Sequence, residues 1–259
     1  MAQTAHTANQ DQTLDPGEVE RFSKLAAEWW DPHGKFRPLH QIGPPRLSFI
    51  RDHAIARFHR DPNTLKPFTG LSALDVGCGG GLIAEPLARL GATVTAIDPS
   101  ERNIAIARNH AAPQGLAIDY RAERVEDVVA KAEQFDIVTC LEVVEHVPDV
   151  GAFLDVCAAA VKPGGMMFLS TINRTMKAWA LAIVGAEYVL RWLPRGTHQW
   201  ERFVTPEELT GYTAAAGLVA PQVEGMVYNP LKDAWSRGRD SDVNYLAVAV
   251  KPSTDPKSA

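Results

Sequence analysis

The chain has 259 residues, 46% of them hydrophobic and 22% charged, with a formal net charge of −5. This is ordinary globular composition, and a chain this long buries a core without disulfide or metal staples. The acid excess argues against nucleic acid as the main partner, and three cysteines, Cys78, Cys140 and Cys157, in no framework spacing read as reduced thiols of an intracellular protein.

The opening MAQTAHTANQDQTLD is polar and has no apolar run, so residues 1–15 read as a loose tail rather than a secretion signal. Residues 16–252 read as one domain. Its N-terminal cap, residues 16–60, holds two predicted helices, Pro16–Trp30 and Pro44–Arg60, joined by DPHGKFRPLHQIG. From Leu71 the pattern alternates: LSALDV strand, LIAEPLARL helix, ATVTAID strand, SERNIAIARNHAA helix, LAIDYR strand, FDIVTC strand, a helix around Gly151–Ala160, and MMFLST strand. Such alternation with short connections predicts an α/β fold whose mostly parallel sheet is covered on both faces. Thr205–Ala216 begins with Thr-Pro-Glu-Glu, a helix start, and Leu218–Tyr228 and Asn244–Val250 resemble two last strands. Residues 173–199 form an insertion outside the alternation. The longest apolar run, AWALAIVGA at 178–186, lies there and is too short to cross a bilayer.

LDVGCGGG, Leu74–Gly81, joins the first strand to its helix. Glycines at such a corner let a ligand approach the backbone at a helix N-terminus. A dinucleotide fingerprint needs Gly-x-Gly-x-x-Gly, but counting from Gly77 puts Leu82 in the last position, which counts against NAD. Asp75, two residues before the first glycine, is awkward beside a pyrophosphate and suits a cationic amine. Asp98 ends the second strand 21 residues after Gly77, where a carboxylate accepts hydrogen bonds from ribose hydroxyls. Together these features select S-adenosylmethionine.

From Leu71 to Val250 the sequence resembles the class I S-adenosylmethionine-dependent methyltransferases. The resemblance implies a Rossmann-like sheet of seven strands with the last antiparallel, Gly77 and Gly79 beside the methionine part of the cofactor, Asp98 on its ribose, and Leu141 alongside it. Two further stretches narrow the family. Ala26–Ile50, with Trp29-Trp30-Asp31-Pro32, Phe36-x-Pro38-Leu39-His40 and Pro45-Arg46-Leu47, resembles the N-terminal signature of the ubiquinone-biosynthesis O-methyltransferases, and Val184–Leu209 resembles their insertion. That family methylates a catechol oxygen on a polyprenylated ring at two stages of the pathway. The resemblance implies Arg46 on the cofactor and allows other enzymes of the pathway as partners. Trp29, Trp30 and Phe36 suit capping of cofactor and substrate, or plain packing of a helix onto the domain.

At 100° per residue, Lys177, Glu187 and Arg191 share one sector of the insertion, and Met176, Trp179, Leu181, Ile183, Val189, Leu190, Trp192 and Leu193 lie outside it. Four basic residues and one acid between Asn173 and Thr197 give this stretch a charge of +3. It reads either as an interfacial helix, residues 176–193, touching the inner surface of a membrane from the cytoplasm, or as a lid packed on the domain.

The loop CLEVVEHVPD, Cys140–Asp149, follows the fourth strand, at the sheet edge where α/β folds bind ligands. Methylating a phenol requires a base, or a metal that stabilises the phenolate. If Glu142 starts a helical turn, Glu142, Glu145 and His146 share one face and could hold a divalent cation, Mg²⁺ first, Mn²⁺ or Zn²⁺ otherwise. The resemblance implies the same ion. His146 as a metal-free base, or all three residues shaping the loop, are the other readings. The zinc-peptidase pattern His-x-x-Glu-His fails at its first position, Glu142. A methyltransferase for another small molecule, and a membrane-surface scaffold that binds the cofactor without turnover, also stay open.

Overall fold

The computed structural model of the protein describes residues 13–180 and 200–253. Two helices come first, α1 (Pro16–Lys24) and α2 (Arg37–Arg57). The alternation then runs β1 (Ser72–Val76), α3 (Ala84–Arg89), β2 (Thr93–Ile97), α4 (Glu101–Ala111), β3 (Ile118–Arg121), α5 (Val125–Ala130), β4 (Phe135–Leu141), α6 (Val150–Ala159) and β5 (Val161–Ile172). A single helical turn, α7 (Met176–Ala178), opens the insertion. After it come α8 (Pro206–Ala215), β6 (Val219–Asn229), β7 (Ala234–Gly238) and β8 (Asn244–Val250).

The strands form one sheet in the order β3-β2-β1-β4-β5-β8-β6-β7. The first five pair in parallel, and β8 runs antiparallel between β5 and β6. Strands buried on both faces need near-continuous apolar sequence. ALDV, VTAI and IVTC runs meet that need, with Ala73, Leu74, Ile137 and Val138 fully buried. One face packs Phe49, Ile50, Leu87 and Ile104 from α2, α3 and α4 against the sheet; the other packs Val128, Leu154, Cys157 and Leu209 from α5, α6 and α8. The chain order reverses between β1 and β4, so a crevice opens at the carboxyl ends of these two strands.

Four elements depart from the sequence reading. Helix α1 stops at Lys24, and a 3₁₀ turn over Ala26–Glu28 follows, so Trp29 and Trp30 lie beyond it. Helix α2 starts at Arg37, with Pro38 in its first turn and Pro44 and Pro45 inside it. An interior proline removes a helical hydrogen bond and costs about 3 kcal/mol, yet Ile42, Arg46, Phe49, Ile50 and Ala54 are all buried, and that buried face carries the helix through. Strand β7 makes eight strands rather than seven, because β6 extends to Asn229 and folds back on itself as a hairpin. Helix α5 escaped the apolar-period reading because it is only six residues long.

Two residues assigned to the tail are anchored. Thr13 is buried and donates to Glu126, and Asp15 caps α1 while pairing with Arg202 at 3.1 Å. Residues 1–12 and 181–199, the latter holding most of the expected interfacial helix, lie outside the described residues. Among the described residues no helix is long and apolar enough to cross a membrane.

Candidate active site

The register of the sheet builds the first half of the site. Asp75 of β1 lies beside Thr139 of β4, whose hydroxyl donates to Asp75 Oδ1 at 2.7 Å. The other oxygen, Oδ2, is buried and has no hydrogen-bond partner among the described residues. Burial pushes this carboxyl up to about 7. An acceptor left unpaired inside a protein is costly, and a cationic amine arriving from the crevice would satisfy it. The chain turns away from β1 through Gly77 and Gly79, both in the left-handed region at φ 68° and 53°. A Cβ at Gly77 would stand 2.6 Å from Val143 Cγ2. Hence only glycine fits there.

Asp98 at the end of β2 is nearly buried. Its Oδ1 accepts from Ser100 N at 2.8 Å and Asn103 Nδ2 at 3.1 Å, and its Oδ2 accepts from Gly79 N at 3.0 Å. A carboxylate has about four acceptor positions, so one is left on Oδ2 for a ribose hydroxyl. Asn103 also accepts from Trp29 Nε1 at 2.9 Å, and Trp29 stacks on Phe36 with ring centroids 3.8 Å apart. Trp30 donates to Gly80 O at 2.9 Å and stacks on His110 at 3.4 Å. The two tryptophans therefore clamp the glycine turn from above. Trp29 both packs on the turn and lines the crevice, while Trp30 packs on Gly80 and His110.

Arg46 of α2 is buried, 3% exposed, and forms an ion pair with Glu142; among the described residues its Nε has no hydrogen-bond partner. Glu142 sits just past β4 with φ 55°, a strained value for a side chain larger than Gly. Ser170 of β5 holds it twice: the Ser170 hydroxyl donates to Glu142 Oε1 at 2.8 Å, and Ser170 O accepts from Glu142 N at 2.9 Å. Next to it, Thr171 Oγ1 donates to buried Glu145 at 2.9 Å. Burial, with the neighbouring Glu142 charge, pushes the Glu145 carboxyl up. His146 Nδ1 lies 2.8 Å from Glu18 Oε2 of α1, with the Phe22 ring edge-on at 5.0 Å.

One cavity of about 780 Å³ takes in all nine residues read from the sequence: Arg46, Asp75, Gly77, Gly79, Asp98, Leu141, Glu142, Glu145 and His146. It continues to an apolar end between α2 and the β6–β7 hairpin, with Leu39, Ile42, Met226 and Trp235 on its walls.

Residues 74–169 match the family described as "Methyltransferase domain". The chain is 58% identical over 243 residues to the ubiquinone biosynthesis O-methyltransferase of a Chelativorans species, covering 94% of this chain and 96% of the relative. It is 56% identical over 253 residues to the enzyme of the same name from Brucella anthropi, covering 98% and 100%. The chain belongs to the ubiquinone biosynthesis O-methyltransferase family. It is an S-adenosylmethionine-dependent O-methyltransferase. Solved structures share the fold at low identity. Magnesium protoporphyrin IX methyltransferase from Synechocystis with bound SAH superposes at a TM-score of 0.63 with 18% identity, covering 90% of this chain and 94% of the other. A possible histamine N-methyltransferase from Thermotoga maritima superposes at 0.60 with 18% identity, covering 91% and 98%.

Among the described residues, Asp75 Oδ2 and Arg46 Nε have no hydrogen-bond partner, so the first could take a cationic amine and the second a carboxylate, while Asp98 Oδ2 has a position that could take a hydroxyl. The metal expectation fares differently. The loop after β4 forms a 3₁₀ turn over Val144–His146 rather than a helical turn starting at Glu142. Its three side chains consequently face different partners: Arg46, Thr171 and Glu18. Among the described residues no three such groups converge as a metal site. Sequence reasoning missed Glu18, Ser170 and Thr171. The last two stand in the strand read as MMFLST, where two hydroxyl residues at the end of an apolar run were the available signal. Glu18 gave none, since only tertiary packing brings α1 to the loop after β4.

Proposed function

We propose that the cavity methylates a catechol oxygen on a polyprenylated ring in ubiquinone biosynthesis, at two steps of that pathway. One observation carries the reading: cofactor corner, titratable loop and apolar end form a single continuous space. A flat phenolic ring between the loop and the cofactor, with an apolar tail running past Leu39, Ile42 and Met226, suits that sequence of surfaces.

The cofactor supplies an electrophilic methyl group on its sulfonium. The chain's own residues align the acceptor and take its proton, and His146 is the group we assign to that task. The phenol proton passes to the imidazole, the freed oxygen pair forms the new bond to carbon, and the breaking carbon–sulfur pair returns to sulfur. Glu145, whose carboxyl burial pushes up, lines the cavity beside His146 and is held there by the Thr171 hydroxyl.

For a divalent cation, two carboxylates and an imidazole are a suitable donor set. Their placement does not fit one ion, because Glu142 is turned to Arg46 and His146 to Glu18. The tail of such an acceptor partitions into lipid, so we place the enzyme in the cytoplasm with peripheral contact on the inner membrane through residues 176–193, working beside other enzymes of the pathway. At the start of that stretch Met176 is 70% and Trp179 41% exposed, which supports the contact.

The test is methyl transfer from S-adenosylmethionine to a short-chain prenylated catechol, run with chelator and again with Mg²⁺, Mn²⁺ or Zn²⁺ restored. Product that forms despite chelation supports His146 as the base. Loss on chelation and recovery with metal would mean that the loop rearranges around an ion. No product under any condition, with cofactor still bound, would overturn the acceptor and revive another small molecule or a scaffold without turnover.

A further inference from the structure

We propose that the β6–β7 hairpin is the element that selects an acceptor with a prenyl tail. Trp235 and Met226, across the cavity from Leu39 and Ile42 of α2, line a subsite for the first isoprene units. The proposal rests on the acceptor reading above and names the residues that set its specificity. It gives a task to β7, the strand that stands outside the expected seven.

Both walls follow from periodicity. Leu39, Ile42 and Arg46 lie at i, i+3 and i+7 on α2, so they share one face, and all three line the cavity. From Arg46, beside the loop after β4, to Leu39 at the apolar end this stripe extends about 10 Å along the helix axis. On β7, Trp235 and Arg237 are two residues apart and point to the same side of the sheet. Arg237 donates to Asp52 Oδ2 of α2 at 2.6 Å, and its guanidinium carbon stands 5.2 Å from the Phe49 ring centre, so this side is turned toward α2. Trp235 pairs across the hairpin with Tyr228, their ring centroids 5.4 Å apart, and Met226 lies two residues earlier on β6. These three side chains therefore form the facing wall, and all of them line the cavity.

The hairpin is fastened to α2 on either side of Trp235. At its turn, Asp233 pairs with Arg37 and accepts from Gln41 Nε2 at 3.1 Å and from the Tyr228 hydroxyl at 2.6 Å. Beyond Trp235, Arg237 joins Glu224 of β6, at 2.9 Å, to Asp52. Between these anchors Leu39, Ile42, Met226 and Trp235 carry no charge, so the space favours hydrocarbon and disfavours an acid or an amine. It is continuous with the loop after β4, where we place the acceptor ring. The occupant is therefore the ring's own tail rather than a separate lipid chain.

The test uses the full chain and compares bare catechol with catechols carrying dimethylallyl, geranyl and farnesyl tails. In the wild type the first isoprene unit should raise kcat/KM by roughly 10- to 100-fold, the value of burying an aliphatic group of that size. Trp235→Ser and Met226→Gln should each shrink the ratio between geranylated and bare catechol about tenfold. The change should come through a raised KM for the geranylated acceptor with kcat held, since the tail makes the same contacts in ground and transition states. S-adenosylhomocysteine affinity at the wild-type value shows that a variant is folded, and a substitution on each strand covers the failure of either one. Folded variants that keep the full ratio, or that lose both acceptors equally, would overturn the subsite and leave the acceptor reading standing. So would a wild type that methylates tailed and bare catechols equally well. A wild type that methylates no tailed catechol would overturn the acceptor reading and the subsite with it.

Discussion

Arg46 and Glu142 form a largely buried ion pair across the mouth of the β1–β4 crevice, and among the described residues Arg46 Nε next to that pair has no hydrogen-bond partner. Five donors on a planar guanidinium are more than one carboxylate satisfies. The cofactor's carboxylate is the second anion we propose for it, and on that reading Arg46 would bridge cofactor and loop. Arg46→Gln should therefore weaken S-adenosylhomocysteine by roughly 10- to 100-fold, the value of a hydrogen bond to a charged group. It should leave 5′-methylthioadenosine, which lacks the carboxylate, nearly unaffected. Calorimetric titration with both ligands checks this. Equal losses for the two would mean that the variant damages the fold of the loop instead.

Asp75 predicts a pH dependence. Burial holds its carboxyl at about 7 in the free protein, and a bound ammonium group lowers that value. Cofactor binding at pH 6 should then release a proton, and affinity should rise with pH until about 7 and level off. Titrations at pH 6 in two buffers of different ionisation enthalpy measure the proton count, and Asp75→Asn should abolish the release. The sign for stability runs the other way. This raised carboxyl favours the fold below its ordinary value of 3.8, and that contribution is lost as pH rises through about 7.

Asp98→Ala should cost both binding and stability, because it strands three donors at once: Gly79 N, Ser100 N and Asn103 Nδ2. Asp98→Asn separates the two effects. It keeps one acceptor oxygen for the turn and loses the charge that the ribose hydroxyls use. Its melting temperature should stay closer to wild type than that of Asp98→Ala, while S-adenosylhomocysteine affinity still falls about tenfold or more. Unchanged affinity in Asp98→Asn would remove the ribose from Asp98.

The parts of the site that sequence reveals are those whose geometry is set locally by strand ends. Asp75, Gly77 and Asp98 sit at fixed offsets from β1 and β2, so pattern and chemistry coincide. The loop after β4 was legible as a place but not as an arrangement. Whether Glu142 meets Glu145 or Arg46 depends on the bend at Glu142 and on Ser170 one strand away. Glu18 and the β7 hairpin were out of reach for the same reason: their significance lies in contacts between distant segments. The two prolines in α2 misled the reading because a local rule was outweighed by a buried face five side chains long.

Trp29 and Gly79 predict a coupled pair. Gly79 has φ 53°, and a Cβ there would run into the Trp29 ring. Gly79→Ala thus carries two costs. The left-handed backbone accounts for about 1–2 kcal/mol, and displacing a ring that stacks on Phe36 and bonds Asn103 adds more. Trp29→Ala alone removes the stack and should cost about 3–5 kcal/mol, as for other large aromatic truncations. In the double variant the clash is gone and only the backbone cost of Gly79→Ala remains. The two losses should therefore sum to more than the loss in the double variant, by roughly 0.5–3 kcal/mol, the range for residues in contact. Denaturant unfolding of the four proteins measures the coupling. Simple additivity would mean that the ring moves away from Gly79 without cost, and that the tryptophan clamp on the glycine turn is loose.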